Sequence, residues 1–294
     1  MSEYLSRYAD SGLYTMQGRL GPPEGGRFQS FPRDGWRREI EQAARIGLRG
    51  IEWIYDLYGE GANPLETSGG RQELKALLQQ HGIAVVSICA DYFMDKPLLR
   101  CPATDNRQLL QRLEWLIGIC PGMGIGRIVL PFVDAANIRD AAERSQVAGN
   151  LRSALPVAER NGVELHLETD LGPETFRAFL GELEHPLIKV NYDAGNSASL
   201  GYKPAEEFAA YGHRIGSFHI KDRRQGGGTV PLGQGDADFA SLREQLLRHG
   251  YRGDFVMQVA RGEAGDEPRW LTGMAKLSAD WLRGLALHDR KHQP

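Results

Sequence analysis

The feature that most limits the folds open to this chain is an alternation. Eight short β-branched or apolar runs are each followed by a longer stretch with helical periodicity. The runs are Leu13–Gln17, Gly50–Tyr55, Ala84–Cys89, Arg127–Phe132, Val163–Glu168, Ile188–Asp193, Gly216–His219 and Asp254–Gln258. Helix signals fill the intervals. Asp105 precedes a stripe of Leu109, Leu113 and Leu116 that stops near Gly122, and Pro204 sits at a first helical position ahead of Ala205–Tyr211. Asp238 caps a helix carrying Leu242, Leu246 and Leu247, closed by Gly250. A last helix is expected from about Pro268 to Leu287, with Trp270, Met274, Leu277 and Trp281 facing inward. Eight such units without a Ser/Pro-rich linker predict one domain over residues 1–294, a single (β/α)₈ TIM barrel of the α/β class. A doubly wound open sheet is the alternative. It usually carries a Gly-rich phosphate turn after its first strand, which Gly12 or Gly18 alone does not supply.

The strand faces add chemistry to this outline. In the fifth run Val163, Leu165 and Leu167 alternate with Glu164, His166 and Glu168. In the sixth, Ile188, Val190 and Tyr192 alternate with Lys189, Asn191 and Asp193, and in the seventh Phe218 and Ile220 alternate with Ser217, His219 and Lys221. A fully buried parallel strand normally reads as continuously apolar. Polar groups aimed into a barrel are costly unless they are paired or bind something.

Four inward positions fall at or near the C-terminal ends of consecutive strands: Glu168, Asp193, His219 and Gln258. A barrel gathers such ends at one mouth, where barrel enzymes place their active sites. Two carboxylates and an imidazole form an oxygen and nitrogen donor set suited to one divalent metal ion, Mn²⁺, Mg²⁺, Co²⁺ or Zn²⁺. The bland alternative is that the acids are separately paired and His219 is a packed core imidazole.

With these residues in place, the chain resembles the xylose-isomerase-like superfamily of barrels, which includes sugar isomerases, ketose 3-epimerases and endonuclease IV. The marks are Met16-Gln-Gly-Arg-Leu20, Gly50-Ile-Glu-Trp53, Leu167-Glu168, Asp193-Ala-Gly-Asn196, His219-Ile-Lys-Asp222 and Val230-Pro-Leu-Gly233 with Gly235-Asp236. The resemblance implies a metal held by Glu, Asp, His and Glu from strands five to eight. Glu168, Asp193 and His219 match that pattern, and Gln258 stands at the fourth position. Glutamine can coordinate through its carbonyl oxygen, but it is neutral and cannot exchange a proton. Endonuclease IV relatives place a histidine where this chain has Asn196, which argues against DNA repair.

The function implied is metal-dependent isomerisation or epimerisation of a sugar, sugar-acid or sugar-phosphate hydroxycarbonyl through an enediolate, with Glu168 as base. Lys221 is the first candidate for the second acid, and Asp91, Glu52 and His166 follow. Glu52, Asp91, Asn196, Arg223 and Arg261 are the expected substrate-binding residues. Lys221, Arg223, Arg224 and Arg261 bring positive charge to the mouth, where an anionic substrate group could sit. Arg19 is read as a clamp for a substrate anion or a brace for a carboxylate, and Trp53 as core. Metal-assisted dehydration and non-catalytic ligand binding are the other function classes this donor set allows.

The remaining expectations are exclusions. With 35 basic and 38 acidic side chains, the net charge of −3 gives no global field for nucleic acid or an anionic membrane. No apolar run approaches the roughly 20 residues of a membrane span. Cys89, Cys101 and Cys120 form no C-x-x-C pair and are read as inert packing thiols. Together with an N-terminus unlike a signal peptide, they point to a cytoplasmic protein with a small carbohydrate as its partner. The resemblance implies a homodimer or homotetramer.

Overall fold

The expected alternation is what the chain forms. The computed structural model describes residues 2–10, 13–262 and 265–285. Its strands begin with β1 (Tyr14–Met16), β2 (Gly50–Ile54), β3 (Ala84–Cys89), β4 (Arg127–Phe132) and β5 (Glu164–Thr169). They continue with β6 (Ile188–Asp193), β7 (Ile215–Ile220), β8 (Asp222–Arg223), β9 (Thr229–Val230) and β10 (Asp254–Met257). The helices are α1 (Ser2–Asp10), α2 (Trp36–Arg45), α3 (Ser68–His81), α4 (Tyr92–Asp95), α5 (Ala103–Met123) and α6 (Ala141–Asn161). After them come α7 (Pro173–Glu182), α8 (Ala194–Leu200), α9 (Pro204–Tyr211), α10 (Phe239–Arg248) and α11 (Glu267–Arg283).

Eight strands close a parallel barrel in the order β1-β10-β7-β6-β5-β4-β3-β2, the (β/α)₈ arrangement. The ninth and tenth strands, β8 and β9, were not anticipated. They form a separate antiparallel hairpin at the mouth, in which Asp222 pairs with Val230 and Arg223 with Thr229. Most boundaries fall within a residue or two of expectation. Asp105 is not a cap: α5 starts at Ala103 after Pro102, three residues earlier than a cap at Asp105 would give, and Asp105 lies in its first turn. The Asp238 cap is present, its carboxylate accepting from Ser241 N–H. Ala286 and Leu287, the end of the expected last helix, lie outside the described residues. No described helix is long and apolar enough to cross a membrane.

The apolar faces of the strands pack against the helices. Trp53 is fully buried between Phe31 and Trp36, and its Nε1 donates to Asn63. Burial of a side chain of this kind contributes roughly 1.5–3 kcal/mol. Inside the barrel the filling is polar but paired. Thr15, Glu52, Ser87, His166, Asn191, Ser217 and His219 are all buried. The N-terminal end is plugged by α1, whose Tyr8 hydroxyl donates to Asp254 Oδ1 at 2.8 Å and accepts from Phe255 N–H.

The first loop, after β1, explains the Met16–Leu20 motif. Gly18 takes φ +77°, and a side chain there would strike the Ser30 carbonyl at 2.9 Å. The buried Glu39 carboxylate of α2 accepts from Gly18 N–H and Leu20 N–H at 2.8 and 3.0 Å. Arg19 donates to the carbonyls of Val259 and Phe28 and to Gln29 Oε1. It therefore pins the loop over the mouth and spends its donors on uncharged acceptors.

Candidate metal centre and its cavity

Parallel strand ends at β5, β6 and β7 bring Glu168, Asp193 and His219 together. One ligand atom from each lies within 4.8 Å of the others, and all three residues are buried. His219 Nδ1 stands 3.5 Å from Glu168 Oε2 and 3.8 Å from Asp193 Oδ2. On the other side of the ring, Nε2 meets Glu52 Oε1 at 2.8 Å, and Ser87 donates to the second oxygen of Glu52. Asn191 Nδ2 can only donate, and it lies 3.1 Å from His219 Nδ1. In the neutral ring, the form that can ligate a metal, that contact takes the lone pair on Nδ1 and the hydrogen lies on Nε2 facing Glu52. A histidine whose rear nitrogen is fixed by a carboxylate is the usual support for a metal-ligating imidazole.

The electrostatics agree. Burial and the neighbouring Asp193 push the Glu168 carboxyl up to about 7. Asp193 is also opposed by burial, yet Lys221 and His219 hold it well below the usual carboxylate range. Burial disfavours a charged His219, but Glu52, Asp193 and Glu168 around it push it up to about 10, and the same acids that favour a proton on Nδ1 would favour a metal ion there in its place. So many acids around one point favour a cation there. The donor set and its spacing, with His219 Nδ1 turned toward Glu168 and Asp193, fit one divalent ion.

The amides around the triad have fixed orientations. Asn196 sits in α8, whose N-terminus is capped by Asp193 Oδ1 through Asn196 N–H at 2.8 Å. Its Oδ1 accepts from Lys221 Nζ and Arg223 Nη1, both donor-only groups, so its Nδ2 points to Glu168 Oε1 at 2.7 Å. Asn191 Nδ2 holds the other oxygen, Glu168 Oε2, at 2.7 Å. Gly195 makes room for this cluster, since a Cβ there would come within 2.6 Å of Lys221 Cγ.

A cavity of about 600 Å³ opens above the triad. Of the expected residues, Glu168, Lys221, Gln258, Asp91, Asn196 and Arg223 line it. Asp193 and His219 stand behind them, and Glu52 lies deeper as the partner of His219. Arg261 is used elsewhere, donating to the carbonyls of Phe28 and Gly21. His166 lies inside the barrel, between Glu164 at 2.8 Å and Ser217 at 2.7 Å. Lys221, the expected second acid, donates to Asp193 Oδ2 at 3.1 Å. Gln258 follows β10, and its Oε1 accepts from Lys221 Nζ at 3.2 Å while its Nε2 donates to Gln29 Oε1 at 3.0 Å.

Among the cavity residues that the sequence did not mark as site residues are Gln29, Phe28 and Cys89. Gln29 donates to Asp91 Oδ2 at 2.8 Å and links it to Gln258. Phe28 exposes 47% of its surface at the rim, its ring 4.8 Å from the Arg19 guanidinium. Cys89, read as an inert thiol, lines the cavity with Sγ 3.1 Å from Asp91 Oδ1. It is free, as are Cys101 and Cys120. Burial pushes its thiol up, and burial likewise raises Asp91 to about 6. Parity along β3 placed Cys89 no better than its neighbours, and the loop carrying Phe28 and Gln29 has no periodicity to read.

Comparison with known proteins completes the assignment. The xylose isomerase-like TIM barrel family matches residues 40–284, and the chain belongs to that family. It is 28% identical over 204 residues to 2-epi-5-epi-valiolone 7-phosphate 2-epimerase of an Actinoplanes species, covering 67% of this chain and 72% of that protein. It is 25% identical over 258 residues to L-ribulose-5-phosphate 3-epimerase UlaE of Escherichia coli, covering 84% and 89%. Among solved structures, the IOLI protein with a bound zinc atom superposes with a TM-score of 0.74 at 15% identity, covering 92% of this chain and 98% of that one.

Proposed function

We propose that this protein is a divalent-metal-dependent epimerase or isomerase of a hydroxycarbonyl sugar. The observation that carries the reading is the placement of Glu168. It belongs to the Glu168–Asp193–His219 cluster, and it alone of the three lines the cavity. The epimerase names of the two relatives above support the reaction class. A cation held by the cluster would supply positive charge against the negative charge that develops on the substrate carbonyl oxygen.

The chain's own groups divide the remaining work. Glu168 takes the proton from the carbon beside the carbonyl. The C–H pair becomes the new C=C bond and the carbonyl π pair moves to oxygen, giving an enediolate. Asn191 and Asn196 each donate to one Glu168 oxygen, which aims the carboxylate and favours its ionised form. Lys221 carries the second acid role, its ammonium anchored by Asp193, Asn196 and Gln258 at 3.1, 3.1 and 3.2 Å. Delivery of a proton from the Lys221 ammonium to the opposite face of the same carbon gives the epimer. It leaves a neutral amine and a protonated Glu168 that re-equilibrate with solvent. Return of the Glu168 proton to the neighbouring carbon gives the isomer. Gln258 serves mainly to hold Lys221, with its carbonyl as a neutral donor at the edge of the metal site.

The test is elemental analysis of protein purified without chelator, followed by incubation with a panel of ketoses in D₂O. We expect close to one equivalent of a divalent metal and deuterium at the carbon beside the carbonyl without loss of water. Less than about a tenth of an equivalent, not restored by Mn²⁺, overturns the metal assignment. An unsaturated product instead of exchange identifies a dehydratase.

A further inference from the structure

The basic residues near the mouth were the sequence's argument for an anionic substrate. In the structure Lys221, Arg223 and Arg261 are engaged with protein groups, and Arg224 is exposed on the loop after β7 and does not line the cavity. Lys221 has three N–H donors, and Asp193, Asn196 and Gln258 hold them at 3.1–3.2 Å, so an acid step releases one of them and none is left over for a phosphate. Arg223 directs Nε and Nη2 to the Gly227 carbonyl and Nη1 to Asn196. Arg261 holds the first loop by its carbonyls and does not line the cavity. Arg27, exposed at the rim, lies over the ring of Tyr58 at 5.0 Å.

The acids outnumber these cations. Besides Glu168, the cavity is lined by Asp56, Asp91, Asp95 and Asp134, against Arg27, Lys221 and Arg223. A dication at the cluster would offset Glu168 and Asp193, and the rest of the wall would still carry more acid than base. The helix starts that follow β6, β7 and β10 carry acids of their own, which disfavour an anion there. Asp193 caps α8 and Asp238 caps α10. The first turn of α11 carries Glu267, with Asp266 just before it. The loops after β7 and β10, where barrels of this kind often bind phosphate, thus turn carboxylates toward their helix starts, and the guanidinium groups of Arg223 and Arg261 are held by loop carbonyls and an amide.

We infer that the substrate is an uncharged polyol carbonyl, a free sugar or a neutral glycoside, and not a phosphate ester or a sugar acid. Free carboxylate lone pairs on the wall accept hydrogen bonds from hydroxyl groups and repel a phosphate. The exposed ring of Phe28, braced by Arg19, offers an apolar surface for the C–H face of a sugar. The two sequence relatives are named for phosphate esters, so this chain parts from them in its substrate. The inference rests on the epimerase or isomerase reading for its chemistry, but the charge of the cavity is independent of it.

The experiment uses the full chain loaded with Mn²⁺ for exchange and with Mg²⁺ for saturation-transfer NMR. The probes are matched pairs: L-ribulose with L-ribulose 5-phosphate, and D-fructose with D-fructose 6-phosphate, together with inorganic phosphate. We expect the free ketose of at least one pair to bind and to exchange deuterium with kcat/KM at least tenfold above its phosphate ester. Inorganic phosphate at 10-fold excess over the ketose should leave that rate unchanged. A phosphate ester that is equal or better overturns the inference and leaves the proposed reaction standing. Selective binding of the free ketose without exchange supports the inference and overturns the reaction. Binding of neither member of any pair overturns the inference. Neutralising the wall should sharpen the result: Asp95→Asn is expected to narrow the preference for the free ketose severalfold, and an unchanged ratio counts against the role of wall charge.

Discussion

The two ends of the barrel handle charge in opposite ways. At the N-terminal end, Arg127 meets Asp254 at 2.5 Å, and Tyr8 donates to the other oxygen of that carboxylate. One cation and one anion cancel beneath α1, close to where β4 and β10 begin. At the C-terminal end, Glu52, Glu168, Asp193 and His219 crowd together, and Lys221 offsets only part of their charge. Such crowding costs stability in a low-dielectric interior unless a ligand relieves it. The balanced end holds the fold, and the unbalanced end is poised to bind.

The largest expected effect separates the two ends by exchanging one group in each. Glu168→Gln should lower proton exchange by about a thousandfold or more, within the range of general-base losses. It should leave the metal-free protein at least as resistant to urea, because it removes a crowded charge. Arg127→Met should do the reverse. It strands a partly buried Asp254 and should lower unfolding stability by about 3 kcal/mol, while the folded fraction keeps its turnover. Urea titration beside single-turnover exchange reads both. If the two variants swap phenotypes, the division of labour between the ends is wrong.

Sequence parity foresaw much of this contrast. Alternation along the fifth to seventh strands placed Glu168, Asp193 and His219 on one interior face, and the short βα spacing brought their ends to one mouth. It could not foresee Glu52 as the partner of His219, because that contact joins β2 to β7 across the barrel over 167 residues. Nor could it say what the arginines touch. A guanidinium reaches far enough to choose among many acceptors, and Arg19, Arg223 and Arg261 chose loop carbonyls and amides whose positions follow only from closure of the barrel. The hairpin of β8 and β9 was illegible for a similar reason. Its two-residue strands carry no period, and it is held by Asp222 accepting from the backbone of Gly233, Gly235 and Ala237.

Glu39 extends the comparison to pH. It clamps the first loop at the C-terminal end, faced by Arg19 and Arg261, yet burial outweighs them and pushes its carboxyl up to about 7. The folded state therefore binds this proton more tightly than the unfolded chain does. The favourable contribution is present at low pH and is lost as pH rises from the ordinary carboxylate range through about 7. Between pH 5.5 and 8 the loss from this group amounts to about 2 kcal/mol. Glu39→Gln keeps an acceptor for Gly18 or Leu20 but cannot titrate. Its stability relative to the parent should therefore improve by about that amount from pH 5.5 to pH 8 in urea unfolding. A parallel pH dependence in the two proteins would show that the first loop stands apart from the charge imbalance of its end.

The smallest effect concerns Gln258, where the charge of the unbalanced end is set most finely. Its oxygen is engaged by Lys221 and its nitrogen by Gln29, which in turn accepts from Arg19 and donates to Asp91. Donor-only groups at Lys221 and Arg19 fix both amides, so neither can turn without losing two hydrogen bonds. If Gln258 mainly positions Lys221, Gln258→Ala should change Mn²⁺ affinity by no more than about threefold, whereas loss of a true ligand or its direct support costs about 10- to 100-fold. Exchange should nonetheless slow by about tenfold through the loosened ammonium, as a loss in kcat with little change in KM. Titration of Mn²⁺ followed by its electron paramagnetic resonance signal separates the two cases. A large loss of metal affinity would make the carbonyl of Gln258 a ligand, and would leave Lys221 anchored by Asp193 and Asn196 alone.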